Sequence, residues 1–68
     1  MISTIPYVTA NERAPIVVKV RERLNIPGDD LLDQNLMEVL RGLQRSNGMQ
    51  PHGELDDQTL GLMSLSIW

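Results

Sequence analysis

Short apolar clusters alternate with turn-forming stretches along the chain, and three of the clusters repeat at helical spacing. Ile16, Val17, Val20 and Leu24 make one stripe, the mark of a helix with one buried face. Pro15 stands just ahead of them. Proline suits the first helical turn, where its missing N–H removes no intrahelical bond, so this helix is predicted to start near Pro15 and to end at Pro27-Gly28. The β-branched run Ile16-Val17-Val18 argues for a strand, but the Arg-Glu-Arg-Leu that follows favours helix. Leu36, Val39, Leu40 and Leu43 fall at i, i+3, i+4 and i+7, the clearest amphipathic signal in the chain. Asp33 is placed to cap that helix. Glu38, Arg41 and Arg45 take its solvent side, with Arg45 in the last turn, where a cation complements the helix dipole. Asn47-Gly48 supplies a left-handed stop. A third, shorter helix opens at Asp56 or Asp57 and turns Leu60 and Met63 inward.

The segments outside these helices read as an arm, two loops and a tail. Residues 1–11 carry Ile2, Ile5, Tyr7 and Val8 with no helical period, and Pro6 pushes Ile5 toward extended backbone. Thr9 and Glu12 have capping-box spacing, but a helix starting there would place Pro15 in its interior. Residues 26–33 form a loop whose Leu31 and Leu32 tuck into the core, and residues 49–56 form a turn region around Pro51 and Gly53. The expected fold is all-α: a small three-helix bundle over residues 13–64, with an extended N-terminal arm over 1–12 and an apolar tail over 65–68.

Composition narrows what such a bundle does. A chain of 68 residues holds one domain and buries only about 60% of the surface its unfolded form exposes. It has no cysteine, so neither a disulfide nor a thiolate metal site braces it. Tyr7 and Trp68 are its only aromatic residues, which leaves an aliphatic core. The net charge of −3 argues against a nucleic-acid partner, which calls for a basic face. All six basic residues (Arg13, Lys19, Arg21, Arg23, Arg41, Arg45) lie between positions 13 and 45, and the rest of the chain beyond them holds Glu54, Asp56 and Asp57. The plain reading of these charges is solvated helix faces. No stretch approaches the roughly 18 apolar residues of a membrane span, and the start lacks the basic and apolar regions of a secretory signal.

Candidate chemistry is sparse. His52 is the only histidine, and no acid at a matched spacing marks it as a base, so it reads as a turn-exposed structural residue. Asp29, Asp30 and Asp33 lack the alternation, central glycine and closing glutamate of an EF-hand loop; capping and solvation account for them. No Gly-x-Ser-x-Gly elbow occurs, and a three-helix module is too small to wall the cleft that a carboxylate pair needs for glycoside hydrolysis. The expectation is a non-enzyme with no cofactor and no metal. Gln44 is expected to hydrogen-bond loop backbone. Arg41 and Arg45, one turn apart, offer paired cations for a carboxylate ligand. Ile2, Ile5, Tyr7 and Trp68 either cover the core or anchor a protein partner.

The order of residues resembles the peptidoglycan-binding-like domain, a three-helix module of bacterial wall hydrolases and phage lysins. The stretch Arg13-Ala14-Pro15-Ile16-Val17, then Val20-Arg21 and Leu24, follows that family's opening. Leu43-Gln44 followed by Gly48-Met49 stands for its aromatic-Gln pair and Gly-Leu turn. His52-Gly53-Glu54-Leu55-Asp56-Asp57-Gln58-Thr59, with Met63 closing, stands for its turn into the third helix. Arg21 takes the place of a Gln, Leu43 of an aromatic residue, His52 of an Asp and Asp56 of a Gly. The resemblance implies a bundle of peptidoglycan-binding-domain type and a binding role; the candidate contacts, read from the residues themselves, are Ile5, Tyr7, Arg41, Gln44, Arg45 and Trp68. Peptidoglycan lies outside the cytoplasmic membrane, whereas this chain opens on Met1 with no export pattern. A phage particle assembled in the host cytoplasm reconciles the two. The expected role is therefore a small virion component, a capsid decoration or tail protein, with protein partners and with peptidoglycan as a further ligand. The alternative is a wall-targeting module of a hydrolase or lysin, located at the bacterial cell wall. Neither nucleic acid nor membrane is expected as a partner.

Overall fold

A computed structural model describes residues 7–65 of the chain. They form three helices: α1 Pro15–Leu24, α2 Gln34–Ser46 and α3 Asp57–Leu62. Among the described residues there is no strand, only two isolated antiparallel bridges, so the molecule is small, mostly helical and all-α. Of the apolar end residues, Ile2, Ile5 and Trp68 lie outside the described residues.

Each helix begins as its sequence dictates. Pro15 opens α1 directly after an extended Ala14, which offers no side-chain cap. Asp33 caps α2 by accepting from the Leu36 N–H at 2.9 Å. Asp56, rather than Asp57, caps α3 by accepting from the Thr59 N–H at 2.7 Å.

All three helices end in one and the same way. Asn25, Gly48 and Ser64 adopt positive φ values of 63°, 75° and 57°. In each case the following residue (Ile26, Met49, Leu65) donates its N–H five residues back, to the carbonyls of Arg21, Gln44 and Leu60. This is the Schellman arrangement, with an apolar residue just past the left-handed position. The end of α1 corrects the expectation. Asn25 closes the helix at Leu24, ahead of Pro27, because an asparagine accepts left-handed backbone more readily than most residues.

The core comprises Val8, Val17, Val20, Leu32, Leu36, Met37, Leu40, Leu55, Leu60 and Met63. Val39, expected on the buried stripe, is instead 44% exposed. The reason is angular. At about 3.6 residues per turn, Leu36, Leu40, Gln44 and Met37 share one arc, Leu43 falls at its edge and Val39 lies beyond it. The described residues ahead of α1 pack on the molecule itself: Val8 bridges to Leu55, and Arg13 bridges to Leu31. Residues 7–14 thus run between the two loops, with Asn11 N–H donating to Leu32 O at 2.9 Å and Leu32 N–H to Glu12 O at 2.9 Å. Thr9 and Glu12 do form a reciprocal turn, in which Glu12 Oε1 accepts the Thr9 N–H at 2.7 Å, but no helix follows from it.

One basic residue departs from a solvated face. Arg21 is buried and holds the 26–33 loop from within. Its Nη1 donates to Pro27 O at 2.9 Å and its Nη2 to Leu31 O at 2.7 Å. The same Nη2 lies 3.3 Å from Asp33 Oδ2, so one carboxylate caps α2 and also meets a cation on α1. The loop passes so close that a Cβ on Gly28 would overlap the guanidinium.

Candidate functional site

The densest polar cluster joins the end of α2, the 49–56 turn and the start of α3, and Gln44 is its hub. Gln44 is fully buried. Its Nε2 donates to the Thr59 hydroxyl at 2.8 Å and to Glu54 O at 3.1 Å, while its Oε1 accepts the Gly53 N–H at 2.9 Å. An amide has two donor hydrogens and a carbonyl acceptor, so this set satisfies the donors and engages the acceptor. Gly53 has φ +79°, and a Cβ there would sit 3.1 Å from Met37 O and 3.2 Å from Arg41 Cγ. Only glycine meets both demands without strain.

His52 completes the cluster and corrects the sequence reading, in which it had no orienting acid. Asp56 is that acid: His52 Nε2 lies 3.1 Å from Asp56 Oδ2. His52 Nδ1 accepts the Glu54 N–H at 3.0 Å. These contacts assign the neutral tautomer with its proton on Nε2. The other Asp56 oxygen is the α3 cap. The i, i+4 spacing of His52 and Asp56 carries no signal in the sequence, because only the turn brings the two together.

Each polar group of this cluster already has a partner inside it. Both imidazole nitrogens are engaged, and the Thr59 hydroxyl is buried at 0% exposure. The arrangement locks a turn onto two helices. Gln44, predicted both as a loop anchor and as a binding contact, offers no surface to a ligand; its position is that of the anchor.

The remaining predicted contacts are spread over the surface. Tyr7 is 38% exposed, and its hydroxyl donates to Asp57 Oδ1 at 2.8 Å. That hydrogen bond to a carboxylate raises the Tyr7 pKa, with burial and the Asp57 charge adding to the shift. Arg41 is half-buried, lies along Gly53, and reaches Glu38 Oε1 at 3.4 Å. Arg45 is exposed and makes no ion pair among the described residues. Ile5 and Trp68 lie outside the described residues. The two arginines therefore differ: Arg41 is drawn against the turn, and Arg45 points to solvent.

Elsewhere the charged residues brace the fold. Arg13 joins Asp29 at 3.1 Å and Asp30 at 2.8 Å. Arg23 Nε donates to Met63 O at 3.0 Å, tying α1 to the end of α3. Two open hollows flank α1: one of about 370 Å³ between Lys19, Glu22, Arg23 and Leu65, and one of about 350 Å³ between Arg21, Glu22, Asn25, Ile26 and Pro27. Among the described residues, no group of three His, Cys, Asp or Glu side chains is placed to hold a metal ion, and no helix is long and apolar enough to cross a membrane. No family model, no curated protein and no solved structure matches the chain.

Proposed function

We propose that the chain is a non-catalytic binding module of peptidoglycan-binding-like type, serving as a small structural component of a phage virion, as a capsid decoration or tail protein. One contrast carries this reading. In the C-terminal half the polar side chains of Gln44, His52, Asp56 and Thr59 bond to one another and to the 53–54 backbone, whereas Tyr7, Val18, Val39 and Leu62 stay on the outside. Chemistry needs polar groups directed at a ligand. Docking needs apolar and aromatic surface with a polar rim. The balance here favours docking.

A second reading, the wall-targeting module of a hydrolase or lysin, draws on a different observation. The residues behind the resemblance in the second half, Gln44, Gly53 and Thr59, are direct hydrogen-bond partners. A turn built by that set is the part of the family pattern that this chain retains most fully.

The two readings separate in one experiment. The purified chain is run in sedimentation velocity and, in parallel, mixed with insoluble peptidoglycan sacculi and spun down. The virion reading expects assembly beyond the monomer. A chain that stays a monomer and pellets with sacculi overturns it in favour of wall targeting. A chain that leaves sacculi untouched removes the wall ligand.

A further inference from the structure

We infer that Asn47-Gly48 is a self-modification site, gated by the end of α2, at which the asparagine amide is lost through a cyclic imide. It is the chain's only Asn-Gly pair; Asn11, Asn25 and Asn35 precede Glu, Ile and Leu, whose side chains crowd the attacking nitrogen. In the reaction the peptide nitrogen of Gly48 attacks Asn47 Cγ. The N–Cγ bond forms as the Gly48 N–H proton is lost to solvent, Nδ2 takes up a proton from solvent, the Cγ–Nδ2 bond breaks, and Nδ2 leaves as ammonia. Water then opens the imide at either carbonyl, giving aspartate or isoaspartate. Nothing is oxidised or reduced, and water is the only co-reactant.

In the folded chain both reacting groups are held away from this path. The Gly48 N–H donates to Arg45 O at 3.2 Å, within the Schellman turn. Asn47 Nδ2 donates to Leu43 O at 2.8 Å. Ring closure needs Asn47 Cβ and Gly48 N nearly eclipsed about the Cα–C bond, and ψ of 16° at Asn47 keeps them far apart in rotation. The Met49 N–H, bonded to Gln44 O at 2.9 Å, fixes the next link as well. Reaction therefore requires the last turn of α2 to open, and such turn openings cost less than global unfolding. The product works against closing it again. A carboxylate at position 47 sits where the helix dipole is negative and no longer donates to Leu43 O. The isoaspartyl form also adds a methylene to the backbone leading into the Gln44-anchored turn. Conversion is thus a one-way record of how often this turn has opened.

The test uses the intact chain in mildly alkaline buffer made with oxygen-18 water, folded and in urea, with peptide mapping by mass spectrometry. In urea, Asn47 should convert ahead of Asn11, Asn25 and Asn35. In the folded chain its rate should fall at least roughly ten-fold, the factor set by an opening cost of about 1.4 kcal/mol. Hydrogen exchange of the Gly48 amide gives the opening independently, and the slowing should be at least as large as its protection factor. Equal folded and urea rates, or a slowing well below that protection factor, would overturn the gate. No preference for Asn47 in urea would overturn the site.

Discussion

The Gln44 side-chain amide donates to the Thr59 hydroxyl at 2.8 Å, with both side chains at 0% exposure, and this contact joins α2 to the first turn of α3. Gln44→Leu keeps much of the volume but leaves the Gly53 N–H, Glu54 O and Thr59 hydroxyl without their partner. Each buried group so stranded costs about 1–3 kcal/mol. A domain of this length has a margin of only about 3–10 kcal/mol, so urea denaturation of Gln44→Leu should show a loss of about 3 kcal/mol or more. Thr59→Val removes only the hydroxyl and should cost roughly 1 kcal/mol. The double variant should show coupling above about 0.5 kcal/mol; simple additivity would mean that the two residues do not act as a pair.

Arg21 makes a second separable prediction. Arg21→Met retains an unbranched stem but leaves Pro27 O and Leu31 O without their donor, and should lower stability by about 2–3 kcal/mol. Lysine should restore only part of this, because a single ammonium does not reproduce a guanidinium fork spanning two carbonyls. Gly28→Ala should be as harmful as Arg21→Met, since its Cβ would overlap the guanidinium at φ +143°. Thermal melts of the three variants give the ranking. A harmless Gly28→Ala would contradict the clasp.

The facing of α2 is tested by two neighbours. Val39→Thr should change stability by no more than about 0.5 kcal/mol, as exposed substitutions do. Leu40→Ala should cost about 2–5 kcal/mol, through lost burial and the cavity left behind. Equal costs would restore the register that the i, i+3, i+4, i+7 pattern first suggested.

Stability should fall at both ends of the pH scale, for different reasons. Asp33 has its pKa lowered chiefly by the Leu36 N–H, Asp29 by the Leu31 N–H and then Arg13, and Glu12 by the Thr9 N–H. Groups with depressed folded pKa values stabilise above their unfolded values, near pH 4, and lose that contribution as pH drops through the folded ones. Tyr7 has the opposite sign. Its raised pKa means that its contribution is complete below the ordinary value of 10.0 and is lost as pH climbs through the folded value, when the hydroxyl can no longer donate to Asp57. Urea midpoints across pH should show both flanks, and Tyr7→Phe should flatten the alkaline one alone.

Much of the fold could be read from the chain because the deciding signals are local. Pro15, Asp33 and Gly48 each act within one turn of themselves, and the helices begin or end where those residues require. What could not be read depends on tertiary closure. Val39 looked buried because its i+3 spacing is correct on an isolated helix, but the direction of the core is set by Met37 and Gln44 meeting the loops. Arg21 looked solvated because its partners are loop carbonyls, which no side-chain pattern encodes. His52 looked solitary because its acid, Asp56, is four residues away across a turn whose shape depends on Gly53. Of the predicted contacts, Gln44 is the loop anchor expected by analogy with the Gln of the family the chain resembles, and its hydrogen bonds to the Gly53 N–H and Glu54 O place it there. Arg45 and Tyr7 remain on the surface; the helical position of Arg45 predicts this, whereas Tyr7 reads equally as core cover or as an anchor.

The reading of the chain as an assembly component is tested most directly by sedimentation velocity of the purified protein, with and without insoluble sacculi, at physiological salt. A species heavier than the monomer, formed through its exposed apolar surface and weakened by charge at Tyr7 or Val39, is the predicted result. A strict monomer that pellets quantitatively with sacculi would contradict it.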